Sequence, residues 1–413
     1  MQKLTFIHAA DLHLDSPFKG LKHMPHHMFE RMKDSTFRAF TRLSTYAITK
    51  KVDFVLISGD LYDDEDRSLK AQLKLKREFE RLFDAGIDVF IIHGNHDHTS
   101  GNWLDLVWPS NVHIFSDKDV ERKIFYRNEE ATAFIYGKSY PTRSVVENIT
   151  GQFVKEDNKS VYHIGMLHGS VEGNHDHDVY CPFTIQELLS KQFDYWALGH
   201  IHKRQFLHDQ YPLIVYPGNI QGRHRKEEGE KGFYHVELTR DETKTIFIST
   251  QDILWESTEV VLHVRDTMQD VLKRCESRIR DIRRYDTPVC LTITITGVSS
   301  LATSLQSREV VEDLMDALNE QEISEEAFVW VAKIRNEVIL PVTQNPTIDA
   351  FLKDIQKTAE EVPIFQHVLE PLAKHPMYRK YMEDYTKEDQ KALIEQAEKL
   401  LQMELLIHSK EGK

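Results

Sequence analysis

Five short polar motifs, each placed just after an apolar, β-branched run, constrain this chain more than any other feature. The runs cover residues 4–8, 53–58, 88–93, 161–167 and 195–198, and they lead to Asp11-Leu-His13, Gly59-Asp60, Gly94-Asn-His-Asp97, Leu167-His168-Gly169 and Leu198-Gly-His-Ile-His202. Runs of this length and composition predict buried strands. A lone His-x-His is more often a pair of satisfied or exposed histidines than a metal site. Ligands in open α/β sheets, however, bind at the carboxyl ends of strands. Five polar motifs at five such ends therefore read as one site rather than as five independent loops.

At 413 residues the chain is long enough for two or three domains and a substantial core. With 40% hydrophobic and 29% charged residues it has the composition of a soluble globular protein. No apolar stretch approaches the ~20 residues of a membrane span, and the amino terminus lacks a signal-peptide pattern. Cys181, Cys275 and Cys290 are odd in number and widely spaced, which argues against a disulfide framework or zinc ribbon. A cytoplasmic location is the expectation. The net charge of −14 argues against a general polyanion binder, although a whole-chain sum leaves room for a locally basic groove and for acids neutralised by metal ions.

Strand–helix alternation, then mostly strands, predicts an α/β (α+β) fold: a two-layered β-sandwich flanked by helices. Met32, Thr36, Phe40, Leu43 and Ala47 keep helical spacing, and a second helix over about 67–85 is expected to bury Leu75, Phe79, Leu82 and Phe83. Lys70, Lys74, Arg77 and Arg81 share a face of that helix, either as a solvated charged face, the simpler reading, or as a phosphate-tracking stripe. His175-Asp-His-Asp178 resembles a metal cluster but sits in a polar, Gly-containing loop where solvation is the simpler account. Near residue 255 the pattern resets to β-α-β-α-β, a small second domain, followed by a Pro-rich linker over 341–346. The remainder is helical. Over 386–407 a Thr386/Asp389 capping box precedes an apolar stripe of Leu393, Ile394, Ala397, Leu400, Leu401 and Leu405, which is to be buried on the chain itself or on a partner's helices.

The motifs supply Asp11, His13, Asp60, Asn95, His168, His200 and His202 as candidate ligands. Carboxylate, imidazole and amide oxygen without thiolate suit Mn²⁺, Fe or Zn²⁺ in a catalytic rather than a structural role. Seven side chains exceed one ion's needs, and two ions fit if one carboxylate bridges them. Two divalent metals about 3.5 to 4 Å apart polarise a phosphoryl oxygen and lower the pKa of a water between them. His96 is then the candidate to protonate the leaving oxygen, with Asp97 to orient it.

These motifs, in order and complete, resemble the calcineurin-like metallophosphoesterase signature. The resemblance implies one metal held by Asp11, His13, Asp60 and His202, and another by Asp60, Asn95, His168 and His200, with Asp60 bridging. Longer stretches, Asp11-Leu-His-Leu-Asp-Ser-Pro17, His168-Gly-Ser-Val-Glu-Gly173, Asp194-Tyr-Trp-Ala-Leu-Gly-His-Ile-His202 and Tyr216-Pro-Gly-Asn-Ile-Gln-Gly-Arg-His224, resemble the bacterial YhaO type of DNA repair exonuclease, related to the SbcD nuclease subunit. The likeness covers residues 1–255 closely; 256–343 matches the family's capping domain, and the helical 344–413 matches in kind. It implies a Mn²⁺-dependent exonuclease acting on DNA with an SbcC-like coiled-coil ATPase docked on the C-terminal helices; a homodimer is a further option. One position departs from archaeal and eukaryotic relatives, which carry a His where this chain has Asp63. Arg223 and His224, in a basic loop beside the strand that follows the His pair, are expected to contact phosphate.

Three readings follow: a two-metal phosphodiesterase acting on DNA ends, a phosphoesterase of the same chemistry acting on small nucleotides or phosphoproteins, and a non-catalytic regulatory subunit. The complete ligand set with His96 counts against the third, because an idle scaffold has no use for it.

Overall fold

The computed structural model describes residues 2–18, 21, 24–63, 68–101, 106–173, 180–324, 326–341 and 346–359, together with 391, 393, 394, 397 and 401. The chain begins with β1 (Leu4–Ala9), α1 (His26–Lys50), β2 (Phe54–Ser58), α2 (Leu69–Asp84), β3 (Asp88–Ile92) and β4 (Val112–Ile114). It continues with β5 (Glu121–Arg127), β6 (Glu130–Gly137), β7 (Tyr162–His168), α3 (Ile185–Ser190) and β8 (Tyr195–Gly199). Then come β9 (Gln205–His208), β10 (Leu213–Tyr216), β11 (Gly232–Leu238) and β12 (Thr243–Ser249). These strands form two six-stranded sheets, ordered β12-β11-β1-β2-β3-β4 and β5-β6-β7-β8-β10-β9. The parallel pairs β1-β2-β3 and β6-β7-β8 lie at the heart of the two sheets, so every motif-bearing strand sends its carboxyl end the way its parallel neighbours do.

Side chains alternate faces along a strand, and the buried residues follow that alternation. Leu4 and Phe6, Phe54 and Leu56, Tyr162, Ile164 and Met166, and Tyr195 and Ala197 form the core between the sheets. Ile7, Ala9, Val55 and Ile57 face the other way, onto α1 and α2. Trp196 and Leu198 pack outward with Leu188 of α3. A mixed α/β sandwich with flanking helices is thus the architecture, as the alternation of elements predicts. Helix α1 buries Met32, Thr36, Phe40, Leu43 and Ala47 as expected, and α2 buries Leu75, Phe79 and Leu82. Phe83, expected in the core, is instead 49% exposed: it precedes the end of α2 by one residue and falls off the buried stripe. On the basic face of α2, Lys74 pairs with Asp34 and lies 4.1 Å from the Phe37 ring centroid, while Arg81 pairs with Glu78 at 2.5 Å. Half of that stripe is therefore already spent on intramolecular carboxylates.

The chain divides into two compact units, Met1–Thr258 with Arg278–Thr292 and Ala317–Lys333, and Glu259–Ser277 with Ile293–Asp316 and Ile334–Lys413. The β-α-β-α-β pattern is realised as β13 (Leu254–Leu262), α4 (Met268–Ile282), β14 (Val289–Gly297), α5 (Arg308–Asn319) and β15 (Val329–Asn336), with the three strands in one sheet. Helix α6 (Pro346–Ala359) follows. Residues 391, 393, 394, 397 and 401 are helical; the rest of the helix expected over 386–407 lies outside the described residues, as does His175-Asp-His-Asp178. Among the described residues, no helix is long and apolar enough to cross a membrane.

Candidate metal centre

The inter-sheet face of each central strand runs out at its carboxyl end into a polar residue. His8 continues Leu4 and Phe6, Ser58 continues Phe54 and Leu56, and His168 continues Ile164 and Met166. There the two sheets close on one another: Ser58 Oγ donates to the Ala197 carbonyl at 3.0 Å, and His168 Nδ1 donates to the Ser58 carbonyl at 2.9 Å. A Cβ on Gly199 would lie 1.8 Å from that same Ser58 oxygen, so only glycine permits the approach.

Beyond the strand ends the chain turns sharply. Asp11 (φ 51°), His13 (42°), Asp60 (52°) and His200 (99°) all occupy positive φ, a conformation costing about 1–3 kcal/mol for a side chain that bears a Cβ. Backbone bonds hold the loops in place: the Asp11 amide donates to Gly59 at 3.1 Å and the His13 amide to Asp60 at 3.0 Å. Four strained residues in a row of contacts, all carrying potential ligand atoms, mark a functional site.

Ligand atoms of Asp11, His13, Asp60 and His202 all lie within 4.8 Å of one another. His13 Nε2 and His202 Nε2 face each other at 3.0 Å, with Asp60 Oδ2 at 3.6 Å from His13 Nε2. The other four expected ligands also meet: His168 Nε2 is 3.0 Å from Asn95 Oδ1 and 3.5 Å from Asp60 Oδ2, and His200 Nδ1 is 3.2 Å from Asn95 Oδ1. One oxygen of Asp60 therefore belongs to both groups, while its Oδ1 accepts the His96 amide at 3.0 Å. Asp11, at the floor, accepts the His200 amide at 3.0 and 3.2 Å.

Electrostatics test whether these residues fit metal. Asp11 and Asp60 are fully buried, and burial raises both carboxyls above the ordinary range, Asp11 strongly, with the nearby Asp60 charge adding to it. Burial lowers the imidazoles, His168 to about 4 and His13 well below the usual value, so they are neutral. Because His168 Nδ1 gives its proton to Ser58, the Nε2 that faces Asp60 and Asn95 carries a bare lone pair. Lone pairs converging on lone pairs beside two buried carboxylates is an arrangement that a divalent cation offsets and a polypeptide alone does not. The donor set fits.

Second partners orient the rim. Glu227 Oε1 accepts from His202 Nδ1 at 2.7 Å, and Asp63 Oδ1 lies 3.2 Å from His13 Nδ1. The Glu227–His202 hydrogen bond is of the kind that fixes a metal-binding imidazole's tautomer and raises its basicity. Contacts with His202, Arg223 and its own loop's amides hold Glu227 well below the usual carboxylate range, against the opposing effect of burial. Spacing does not signal Glu227, which lies 25 residues beyond its histidine inside a basic run, whereas Asp63 is the position that departs from archaeal and eukaryotic relatives.

Three further candidates, Arg223, His224 and Asp97, are placed as follows. Arg223 pairs with Asp63 and stands 3.7 Å from Glu227, tying the two outer carboxylates together. His224 is half exposed, 3.4 Å from Glu227. Asp97 does not orient the His96 ring, whose Nδ1 instead lies 2.8 Å from the Asp63 carbonyl. Fully buried, Asp97 accepts the amides of Asp60 (3.2 Å), Leu61 (2.9 Å) and Gly94 (2.6 Å) and contacts His93 Nδ1 at 2.9 Å. It locks the loop of the shared carboxylate to the loop of Asn95.

Comparison with known proteins agrees with this geometry. The calcineurin-like phosphoesterase family profile matches residues 4–204, and the profile described as metallophosphoesterase YhaO, middle domain, matches 255–339. The uncharacterized metallophosphoesterase YhaO of Bacillus subtilis (strain 168) is 41% identical over 98% of both chains. More distant are two archaeal proteins named DNA double-strand break repair protein Mre11. That of Methanocaldococcus jannaschii is 28% identical, covering 66% of this chain and 73% of its own, and that of Sulfolobus acidocaldarius is 24% identical, covering 89% and 94%. A phosphoesterase of this kind is a hydrolase acting on ester bonds and uses divalent metal. With the ligands converging at the strand ends and a full-length relative at this identity, the chain belongs to the calcineurin-like metallophosphoesterase family.

Proposed function

We propose that this phosphoesterase is a two-metal-dependent DNA exonuclease, with Mn²⁺ as the working metal, serving DNA repair together with an SbcC-like coiled-coil ATPase. The observation that carries the two-metal reading is the shared carboxylate, Asp60 Oδ2, at 3.6 Å from His13 and 3.5 Å from His168. When bound, two cations supply Lewis acidity and a strongly acidified water at neutral pH. The chain supplies the rest. Asp11 and Asp60 provide the negative floor, and the imidazoles and Asn95 complete two ligand groups. His96, its Nδ1 engaged by the Asp63 carbonyl, leaves Nε2 as the nitrogen that takes up a proton and delivers it to the leaving oxygen.

DNA as substrate is supported by the names of the Mre11 relatives, which match across most of the chain. An ATPase partner is supported by the apolar stripe Leu393 to Leu405, an amphipathic face of the kind that docks on other helices. Three free, buried cysteines suit a reducing cytoplasm.

The test incubates the purified chain with an end-labelled duplex and an end-labelled single strand, in Mn²⁺ or in EDTA. Metal-dependent digestion is expected, abolished in Asp60→Ala together with its metal content. His96→Ala should keep the metal and lose about 10²–10⁴-fold in turnover, the share of a general acid. Hydrolysis of small nucleotides or phosphoproteins with no action on either DNA would overturn the nuclease reading, and full activity in Asp60→Ala would overturn the shared-ligand assignment.

A further inference from the structure

We propose that a pocket of about 440 Å³ beside the metal centre is the seat of the DNA strand's phosphodiester backbone, a reading that rests on the nuclease function above. Leu21, Trp255 and Ala332 line it together with His224, Arg225, Lys226 and Lys333, and among the described residues no carboxylate does. Among the described residues, the side chains of Arg225, Lys226 and Lys333 make no ion pair, in contrast to Arg223 two residues earlier, which is bound to Asp63. In a chain of net charge −14, three unpaired cations around one concavity form a local field of the sign that attracts phosphate.

The pocket is coupled to the chemistry by a short, ordered turn. His224 Nε2 lies 3.4 Å from Glu227, which also accepts from His202 Nδ1, so one wall of the pocket is a single side chain away from a candidate metal ligand. The turn is fixed: the Glu227 amide donates to the His224 carbonyl at 2.9 Å, the Lys226 amide to His224 Nδ1 at 3.2 Å, and the Arg223 amide to Glu227 Oε2 at 2.7 Å. Beneath it, Trp255 Nε1 donates to the Gly222 carbonyl at 2.9 Å. A pre-ordered platform loses little entropy on binding. This relocates phosphate contact from Arg223 to its neighbours.

The experiment uses a fluorescent single-stranded oligonucleotide with the full chain in EDTA, so that binding is read without cleavage, by anisotropy across a salt series. Arg225→Ala/Lys226→Ala/Lys333→Ala should weaken binding at least tenfold and lower the slope of log K against log salt by about 2, near 0.7 for each lost contact to a single strand. Arg225→Lys/Lys226→Arg/Lys333→Arg should restore both. Metal content and hydrolysis of bis(p-nitrophenyl) phosphate should match wild type in each variant, which reports folding and the centre independently. Unchanged affinity and slope in the triple alanine variant overturns the pocket while leaving the nuclease function standing. A wild-type chain that hydrolyses the small diester but binds no DNA overturns both.

Discussion

Two carboxylates that spacing does not reveal decide how the histidines behave. Glu227 takes the Nδ1 proton of His202 at 2.7 Å, Asp63 stands 3.2 Å from His13 Nδ1, and Arg223 bridges the two acids. The trio is an outer brace, and its physical effect is on the basicity and orientation of imidazoles rather than on substrate. Glu227→Gln keeps an oxygen acceptor but removes the charge, and a loss of 10–100-fold in metal affinity is expected by calorimetric titration of the metal-free chain. Unchanged affinity would remove Glu227 from the centre. Asp63 matters for a second reason: its backbone carbonyl, not its side chain, holds His96 Nδ1 at 2.8 Å. Asp63→Asn should therefore spare the His96-dependent step and show its cost in metal affinity, measured on the same titration.

At the level of elements, the site exists because the central parallel strands of two sheets end together, and glycine at one end lets them meet. Gly199→Ala would push a methyl against the Ser58 carbonyl at 1.8 Å, and the rigid strand ends cannot yield. A destabilisation on the order of 3 kcal/mol or more is expected from urea unfolding, with loss of metal in what remains folded. Gly94→Ala meets Asp60 Oδ1 at 2.3 Å and should cost metal first, because a side-chain oxygen can shift where a strand cannot. How legible these elements are in the sequence follows from their burial. Strands β1, β2, β3, β7 and β8 are buried through nearly their whole length and read as apolar runs. Strands β5, β9 and β12 lie at or near sheet edges with half-exposed, charged patterns such as Glu-Arg-Lys-Ile-Phe-Tyr-Arg, and nothing in their composition separates them from loops. For the same reason the ligands, which close buried strands, are visible in the sequence. The brace of Asp63, Arg223 and Glu227 is not, because it is assembled from loops far apart in the chain. Asp97 shows the opposite error: adjacency to His96 suggests a shared role, but its carboxylate turns inward to amides of another loop.

Taken as a whole, the molecule buries more titratable groups than its fold needs, and its stability should depend on pH and metal in ways that can be separated. Bound metal stabilises the native state by mass action, about 2.7 kcal/mol at a hundredfold excess over Kd, so EDTA should lower the melting temperature of wild type and leave that of Asp60→Ala nearly unmoved. Once metal is removed, acid acts with opposite signs on the two classes of buried group. Asp11 and Asp60 have carboxyls raised by burial and bind protons more readily folded than unfolded, so they gain stability as pH falls. His8 does the reverse. It lies between the sheets with Nε2 donating to the Leu198 carbonyl at 3.0 Å and Nδ1 accepting from the Tyr195 hydroxyl at 2.9 Å, and burial brings it from 6.5 to about 3. Below pH 6.5 the unfolded chain protonates His8 while the folded chain does not, so this residue withdraws about 1.4 kcal/mol per pH unit down to its folded value. Between pH 7 and pH 5 its share is about 2 kcal/mol. Wild type alone shows only the sum of these opposed effects, and the difference from His8→Asn isolates one of them. Urea unfolding of both proteins in EDTA should give a gap that changes by about 2 kcal/mol in favour of the variant on going from pH 7 to pH 5, and a gap independent of pH would show that His8 is protonated in the fold.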